Sequence, residues 1–178
     1  MKVFISYHRA DSDYRNKLEN ILDYAGIEYY AVPEDADFNG KKAETIKRFI
    51  CNRLKQCDVM ICLIGKKTFS RPHVDREIHT ALKGRPGSRL GIVGVLLPTR
   101  NETLKSIDKN TFSVKLWQNK EYVVWSEYSD LKNNISNLIH EAYKNSKNAK
   151  IQTNHSNPCM PLRSTVYYDN WWLNIKFI

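Results

Sequence analysis

Asp58-Val-Met-Ile-Cys-Leu-Ile-Gly65 is the stretch on which the fold turns. It is an unbroken apolar run closed by a glycine. It is far shorter than the ~20 residues of a membrane helix, and it lacks the polar–apolar alternation of a strand with one wet face. Such a run reads as a strand buried on both faces, the kind found in parallel sheets covered by helices. The pattern repeats outward from it. Toward the amino end, Lys2–Ser6 reads as a short buried strand and Ile27–Val32, rich in β-branched and aromatic residues, as a second. Toward the carboxyl end, Leu90–Leu97 and Tyr122–Trp125 read as two more.

Helical spacing fills the intervals. Asp11 or Ser12 can cap a helix carrying Tyr14, Leu18, Ile21, Leu22 and Ala25, which Gly26 stops. Ala43, Ile46, Ile50 and Leu54 share one face of a second helix. Ser70 can cap a third, with Pro72 in its first turn. Leu131, Ile135, Leu138, Ile139 and Ala142 mark the last. Strands separated by helices predict an α/β fold with a parallel sheet and right-handed crossovers. Such sheets bind ligands outside the carboxyl ends of the strands, here at Ser6-Tyr7-His8, Val32-Pro33, Gly65-Lys66 and Leu97-Pro98. The loop from Pro33 to Lys41 has the composition of an irregular, mobile segment. Thr99–Lys120 reads as polar and irregular, Asn145–Leu162 as a linker, and Val166–Ile178, with Tyr167, Tyr168, Trp171, Trp172 and Phe177, as an arm that docks on the domain or on a partner.

The chain has 178 residues, the size of one domain of roughly 100–200 residues. With 42% hydrophobic and 26% charged residues it has the composition of a globular protein rather than a disordered one. Val3-Phe-Ile follows Met1-Lys2 directly, too short a run for a secretory signal, and no segment reads as a membrane span. Cys51, Cys57, Cys62 and Cys159 fit no C-x-x-C pattern, Cys62 reads as a buried thiol, and a reduced cytoplasmic setting is expected. Much of the net charge of +9 sits in Lys41–Lys55, which reads first as a solvated helix face and second as a helix that attracts a phosphate-bearing ligand. No zinc-finger or RNP-like motif points to nucleic acid. His8, His73, His79, His140 and His155 share no metal-site spacing. Glycine-rich phosphate loops, HEXXH and the G-x-S-x-G elbow are absent.

The segment Ser70-Arg-Pro-His-Val-Asp-Arg-Glu-Ile-His-Thr-Ala-Leu82 carries the chemistry. On a helix, Val74, Ile78, Ala81 and Leu82 form the apolar stripe, and Glu77 lies about 40° from Ala81 at its edge. His73 is one turn earlier on the same side. A carboxylate and an imidazole thus border the buried face where the ligand crevice should open. Position alone does not make either catalytic, since a helix glutamate is ordinarily an exposed partner for a lysine.

Val3-Phe-Ile-Ser-Tyr-His-Arg9, the spacing to Gly26-Ile27 and the acidic loop, and the third strand followed by Thr68-Phe-Ser70 and Glu77-Ile78 together resemble Toll/interleukin-1 receptor (TIR) domains. The resemblance covers about residues 1–145 and is nearest to the bacterial TIR proteins of Thoeris antiphage defence; residues 146–178 form the linker and aromatic extension. It implies a flavodoxin-like, three-layer fold with a central parallel sheet of about five strands. It also implies an NAD+ glycohydrolase or ADP-ribose cyclase. Such an enzyme releases nicotinamide and makes a cyclic or conjugated ADP-ribose signal for a separate effector protein, with NAD+ as substrate and no cofactor or metal. By position, Glu77 matches the catalytic glutamate. Ser6, Tyr7, His8 and Arg9 match the first strand's end and the loop that lines the nicotinamide and ribose site. Asp35, Asp37 and Phe38 fall in the mobile loop, and His73 stands where many members have tryptophan. The usual proline-glycine of that loop is replaced by Asn39-Gly40. The resemblance leaves room for a phage-derived trigger and for self-association, and implies no nucleic-acid or membrane partner. The alternative is a non-enzymatic TIR scaffold acting through domain–domain contacts.

Overall fold

The strands are β1 (Lys2–Ser6), β2 (Glu28–Ala31), β3 (Val59–Ile64), β4 (Gly91–Leu96) and β5 (Val124–Glu127). They pair in parallel in the order β2-β1-β3-β4-β5. The computed structural model describes residues 1–32, 43–68, 71–100, 102–105 and 113–160, the side chains at 43, 46 and 47 aside. Within these residues the helices are α1 (Ser12–Tyr24), α2 (Ala43–Leu54), α3 (Pro72–Leu82), α4 (Val114–Gln118) and α5 (Leu131–Lys147). The chain runs from β1 outward to β2, then returns across β1 to β3. The sheet therefore switches direction between β1 and β3, as in flavodoxin-like folds.

Side-chain alternation along each strand builds the three layers. Met60, Cys62 and Ile64 of β3 join Phe4, Ile92 and Leu96 against Ile50 and Leu54 of α2 and Val74, Ile78, Ala81 and Leu82 of α3. Their neighbours Val59, Ile61 and Leu63 join Val3, Ile5, Val93 and Val95 against Leu18 and Leu22 of α1 and Leu131, Ile135, Ile139 and Ala142 of α5. All six residues of β3 and all six of β4 are buried, so the continuous apolar runs are strands covered on both faces. Gly91 lets the backbone of α5 lie on β4, because a Cβ there would overlap the carbonyl of Ala142. Gly26, at φ 65°, turns the chain out of α1 in a conformation that favours glycine.

Three expectations are corrected. The fifth strand starts two residues later than Tyr122. Tyr122 and Val123 instead close a turn on the carbonyl of Asn119 at 2.9 and 3.0 Å, and the Tyr122 phenol donates to the carbonyl of Leu90 from within the core. Thr99–Lys120 is not wholly irregular: it contains a 3₁₀ turn at Pro98–Arg100 and the helix α4. The hydrophobic pattern misses α4 because one of its two buried residues is Lys115. The residue capping α3 is Arg71, without a side-chain cap, and Pro72 follows it at the helix start; Ser70 lies outside the described residues.

Candidate active site

The carboxyl ends of β1 and β3 and the first turns of α3 meet at the switch point. Ser6 ends β1 and stands in register with Cys62 of β3. Glu77, in the middle of α3, is 4% exposed, and its Oε2 accepts a hydrogen bond from Ser6 Oγ at 2.5 Å. The apolar stripe of α3 forces this placement. Ile78 and Val74 are buried against the sheet, and Glu77 is carried in beside them.

Burial dominates the electrostatics. It pushes the Glu77 carboxyl up to about 8, with the Ser6 hydrogen bond pulling weakly the other way. A carboxyl in this position is largely neutral at pH 7 and ionises when a cation comes close. Cys62 lies beneath it; burial first and the Glu77 charge second raise its thiol to about 12, so it stays a protonated, inert core group. Burial holds His73 down to about 3, with Arg76 adding to the effect. Its ring is therefore neutral at pH 7, one turn before Glu77 on α3.

Tyr7 and His8 continue β1 into the turn Arg9–Asp11. Both are buried, and both hold the backbone. The Tyr7 phenol donates to the carbonyl of Val32 at 3.1 Å, tying the ends of β1 and β2 together, while the Arg15 guanidinium lies 5.2 Å from its ring centre. His8 Nδ1 accepts from the amide of Ala10 at 3.1 Å and caps the turn. Arg9, partly exposed, begins that turn. Asp35, Asp37 and Phe38 lie outside the described residues.

One residue at this point is absent from the sequence-based set. Asp11 was expected as a helix cap, yet its side chain makes no capping bond. It is buried against Gly65 at the end of β3, where a Cβ would collide with its carboxylate. Burial raises its carboxyl to about 6, partly offset by the Thr68 hydroxyl. Thr68 itself seals the strand end, accepting from the amide of Gly65 at 2.8 Å and donating to the carbonyl of Leu63 at 3.2 Å. The signal in the sequence was an aspartate five residues beyond β1 and a glycine just after β3, but only the sheet order makes these two neighbours.

A cavity of about 450 Å³ opens at the opposite edge of the sheet, where Asp58 and Leu90 lead into β3 and β4. Lys55, Lys83 and Lys147 line it, each just past or within a helix's carboxyl end, where cations complement the helix dipole. The guanidinium of Arg89, also in its wall, is consumed by the carbonyls of Asn145, Ser146, Asn148 and Ile151. Asp58, half-buried, is the acid among its described lining residues. Among the described residues, no group of three or more His, Cys, Asp or Glu side chains could hold a metal ion, and no helix is long and apolar enough to cross a membrane.

A parallel sheet in this order, with a buried glutamate at its switch point, defines the class: a flavodoxin-like α/β domain. The family described as "Thoeris protein ThsB, TIR-like domain" matches residues 4–102. The chain belongs to that family, a group of defence-related TIR proteins. Among solved structures it is similar to the TIR domains in the structure of the activated Roq1 resistosome recognising the pathogen effector XopQ, at 17% identity over 85% of each chain with a TM-score of 0.44. A comparison with curated proteins found no match.

Proposed function

We propose that this protein is an NAD+-cleaving enzyme. It breaks the bond between nicotinamide and ribose and passes the ADP-ribosyl group on as a cyclic or conjugated signalling molecule for a separate effector in antiphage defence. The observation that carries this reading is the buried Glu77 carboxyl, held by Ser6 at the β1/β3 switch point, in a chain of the Thoeris TIR family.

The chemistry suits one carboxyl group. Nicotinamide in NAD+ is a pyridinium. When the C1′–N bond breaks, its electron pair goes to the ring nitrogen and nicotinamide leaves neutral, without a general acid. The ribose left behind takes on oxocarbenium character. A carboxylate beside it stabilises the developing positive charge, more strongly in a site screened from water. Glu77 is mostly protonated in the empty site; an arriving pyridinium favours its ionised form, the proton is released to solvent water, and the carboxylate pairs with the cation. The hydroxyl that then attacks C1′ gives its proton to the same carboxylate. Arg9 is the group proposed to meet the pyrophosphate, and Asp35, Asp37, Phe38 and His73 complete the proposed substrate-binding set.

Nicotinamide release by concentrated wild-type protein tests the reading, beside Glu77→Gln. The variant keeps the shape and the Ser6 contact but cannot ionise. Release is expected to fall by about 10²–10³-fold. Wild-type turnover in the variant removes the site assignment. A wild-type chain that releases no nicotinamide returns the protein to the scaffold reading.

A further inference from the structure

Beyond α5 the chain turns back along α3. Thr153 Oγ1 donates to the carbonyl of Leu82, at the helix end, at 3.2 Å. The His155 and His79 rings meet edge to face, 6.2 Å between centres. The amide of Met160 then donates to Asp75 Oδ2 in the first turn at 2.9 Å. Residues 153–160 thus run antiparallel to α3 from Leu82 to Asp75. On the other side they grip α4. The Asn119 side chain donates to the carbonyl of Asn154 and accepts from its amide, both at 2.7 Å. Arg89 anchors the start of the segment through the carbonyls of Asn148 and Ile151, each at 2.8 Å.

The tightest point is a buried ion pair. Lys115 Nζ of α4 reaches Asp75 Oδ1 at 2.7 Å and Oδ2 at 2.9 Å, and its remaining donor goes to the carbonyl of Pro158 at 3.0 Å. All three N–H groups of the ammonium are used, and one side chain clamps α3, α4 and the returning segment together. Both partners are buried. A buried pair of this kind is weak evidence for stability, since apolar replacements often serve as well; what it fixes is geometry. The amino end of α3 has no side-chain cap, and the clamp adds a polar hold there to the apolar packing of Val74 and Ile78. Glu77 is two residues further along the same helix.

We propose that residues 148–160 are a positioning strap for Glu77, with Asp75 and Lys115 as its clamp; the proposal rests on the reading of Glu77 as the catalytic glutamate. A shift of α3 by about 1 Å would break the 2.5 Å contact between Ser6 and Glu77 and misplace the carboxylate against the sugar. Misplacements of that size cost about 10²-fold in rate.

The test uses the full chain with three variants. Met160→Pro removes the strap's amide donor to Asp75, Lys115→Met removes the clamp cation, and Lys115→Arg keeps the charge. Two readouts are taken on folded protein: kcat and KM for nicotinamide release, and the titration midpoint of the Glu77 carboxyl by ¹³C NMR. Met160→Pro and Lys115→Met are expected to lower kcat by about ten-fold or more with KM changed less than about two-fold. The Glu77 midpoint should fall from about 8 toward its ordinary value of 4.5 as water reaches the loosened site. Lys115→Arg should keep most of both. Variants that melt earlier but retain wild-type kcat and the wild-type midpoint overturn the strap as a positioning device. A wild-type chain without nicotinamide release ends the catalytic reading separately; the midpoint then decides, and an unmoved midpoint in Met160→Pro overturns the proposal.

Discussion

Asp75 and Glu77 are two carboxyl groups on one helix, two residues apart, and equally buried at 5% and 4% exposed. Their surroundings differ completely. Asp75 looks toward α4 and accepts three hydrogen bonds, two from the Lys115 ammonium and one from the amide of Met160. Glu77 looks toward the sheet and has Ser6 Oγ on one oxygen; burial raises its pKa and, among the described residues, the opposing pull comes from that hydrogen bond rather than from a cation. The contrast separates burial from pairing. Burial alone stores an unmet demand for positive charge, while burial with a lysine satisfies it permanently. The satisfied group belongs to the framework; the unsatisfied one is the group to which the proposed chemistry is assigned, in line with the clustering of perturbed acids at functional sites.

The largest stability effect should come from the satisfied side. Lys115→Met leaves Asp75 buried without its cation and is expected to cost about 3–5 kcal/mol in urea unfolding. Converting both, with Asp75→Asn beside Lys115→Met, should recover most of that loss, because no charge is then left uncompensated. If the single variant unfolds like wild type, the pair is not the framework element described.

The unsatisfied side should respond in the opposite direction. Below about 4.5 Glu77 is protonated both folded and unfolded. Between about 4.5 and about 8 the unfolded chain gives up the proton while the folded one keeps it. The folded state then binds more protons, so stability declines as pH rises through this window. Asp11, raised to about 6, adds a decline of the same sign at lower pH. His73, lowered to about 3, opposes both below its ordinary 6.5, and Cys62 does not titrate in this range. Glu77→Gln is therefore expected to melt higher than wild type at pH 8, with the difference vanishing near pH 4. Thermal unfolding across this range checks it, and an equal or lower melting temperature at pH 8 would contradict the burial-driven shift.

The smallest effect is expected at Ser6. Ser6→Ala removes the hydrogen bond that favours the ionised glutamate, at a cost of about 1 kcal/mol. It should move the Glu77 titration further upward, so that nicotinamide release rises with pH later than in wild type. A downward displacement of that pH profile would show that Ser6 does not act on the Glu77 proton.

Much of the scaffold was legible in the chain. The runs around Val59–Ile64 and Gly91–Leu96 are apolar throughout, and continuous burial on both faces leaves such a mark. The periods of α1, α3 and α5 are equally plain, because one stripe of each faces the sheet. Where packing departs from that rule the reading failed. Lys115 is a core residue of α4 because Asp75 and Pro158 receive it, and no local pattern announces a buried lysine whose partner lies 40 residues away. Tyr122 looked like strand and is a core residue of a turn, held by the carbonyl of Leu90.

By itself, the sequence determined the class of fold, since which residues face inward follows from spacing along each element; that spacing put Glu77 at the edge of an apolar stripe, and the resemblance to TIR domains gave it its expected role. Tertiary structure alone decided what that glutamate meets. Ser6 is 71 positions away, and Asp11 reaches Gly65 only because β1 and β3 lie side by side. The same holds for Asp75, which lies two positions before Glu77 in the chain and yet receives its lysine and the amide of Met160 from α4 and the returning carboxyl-terminal segment. Charge state depends on neighbours in space and on exclusion of water, and both arise only once the layers have packed.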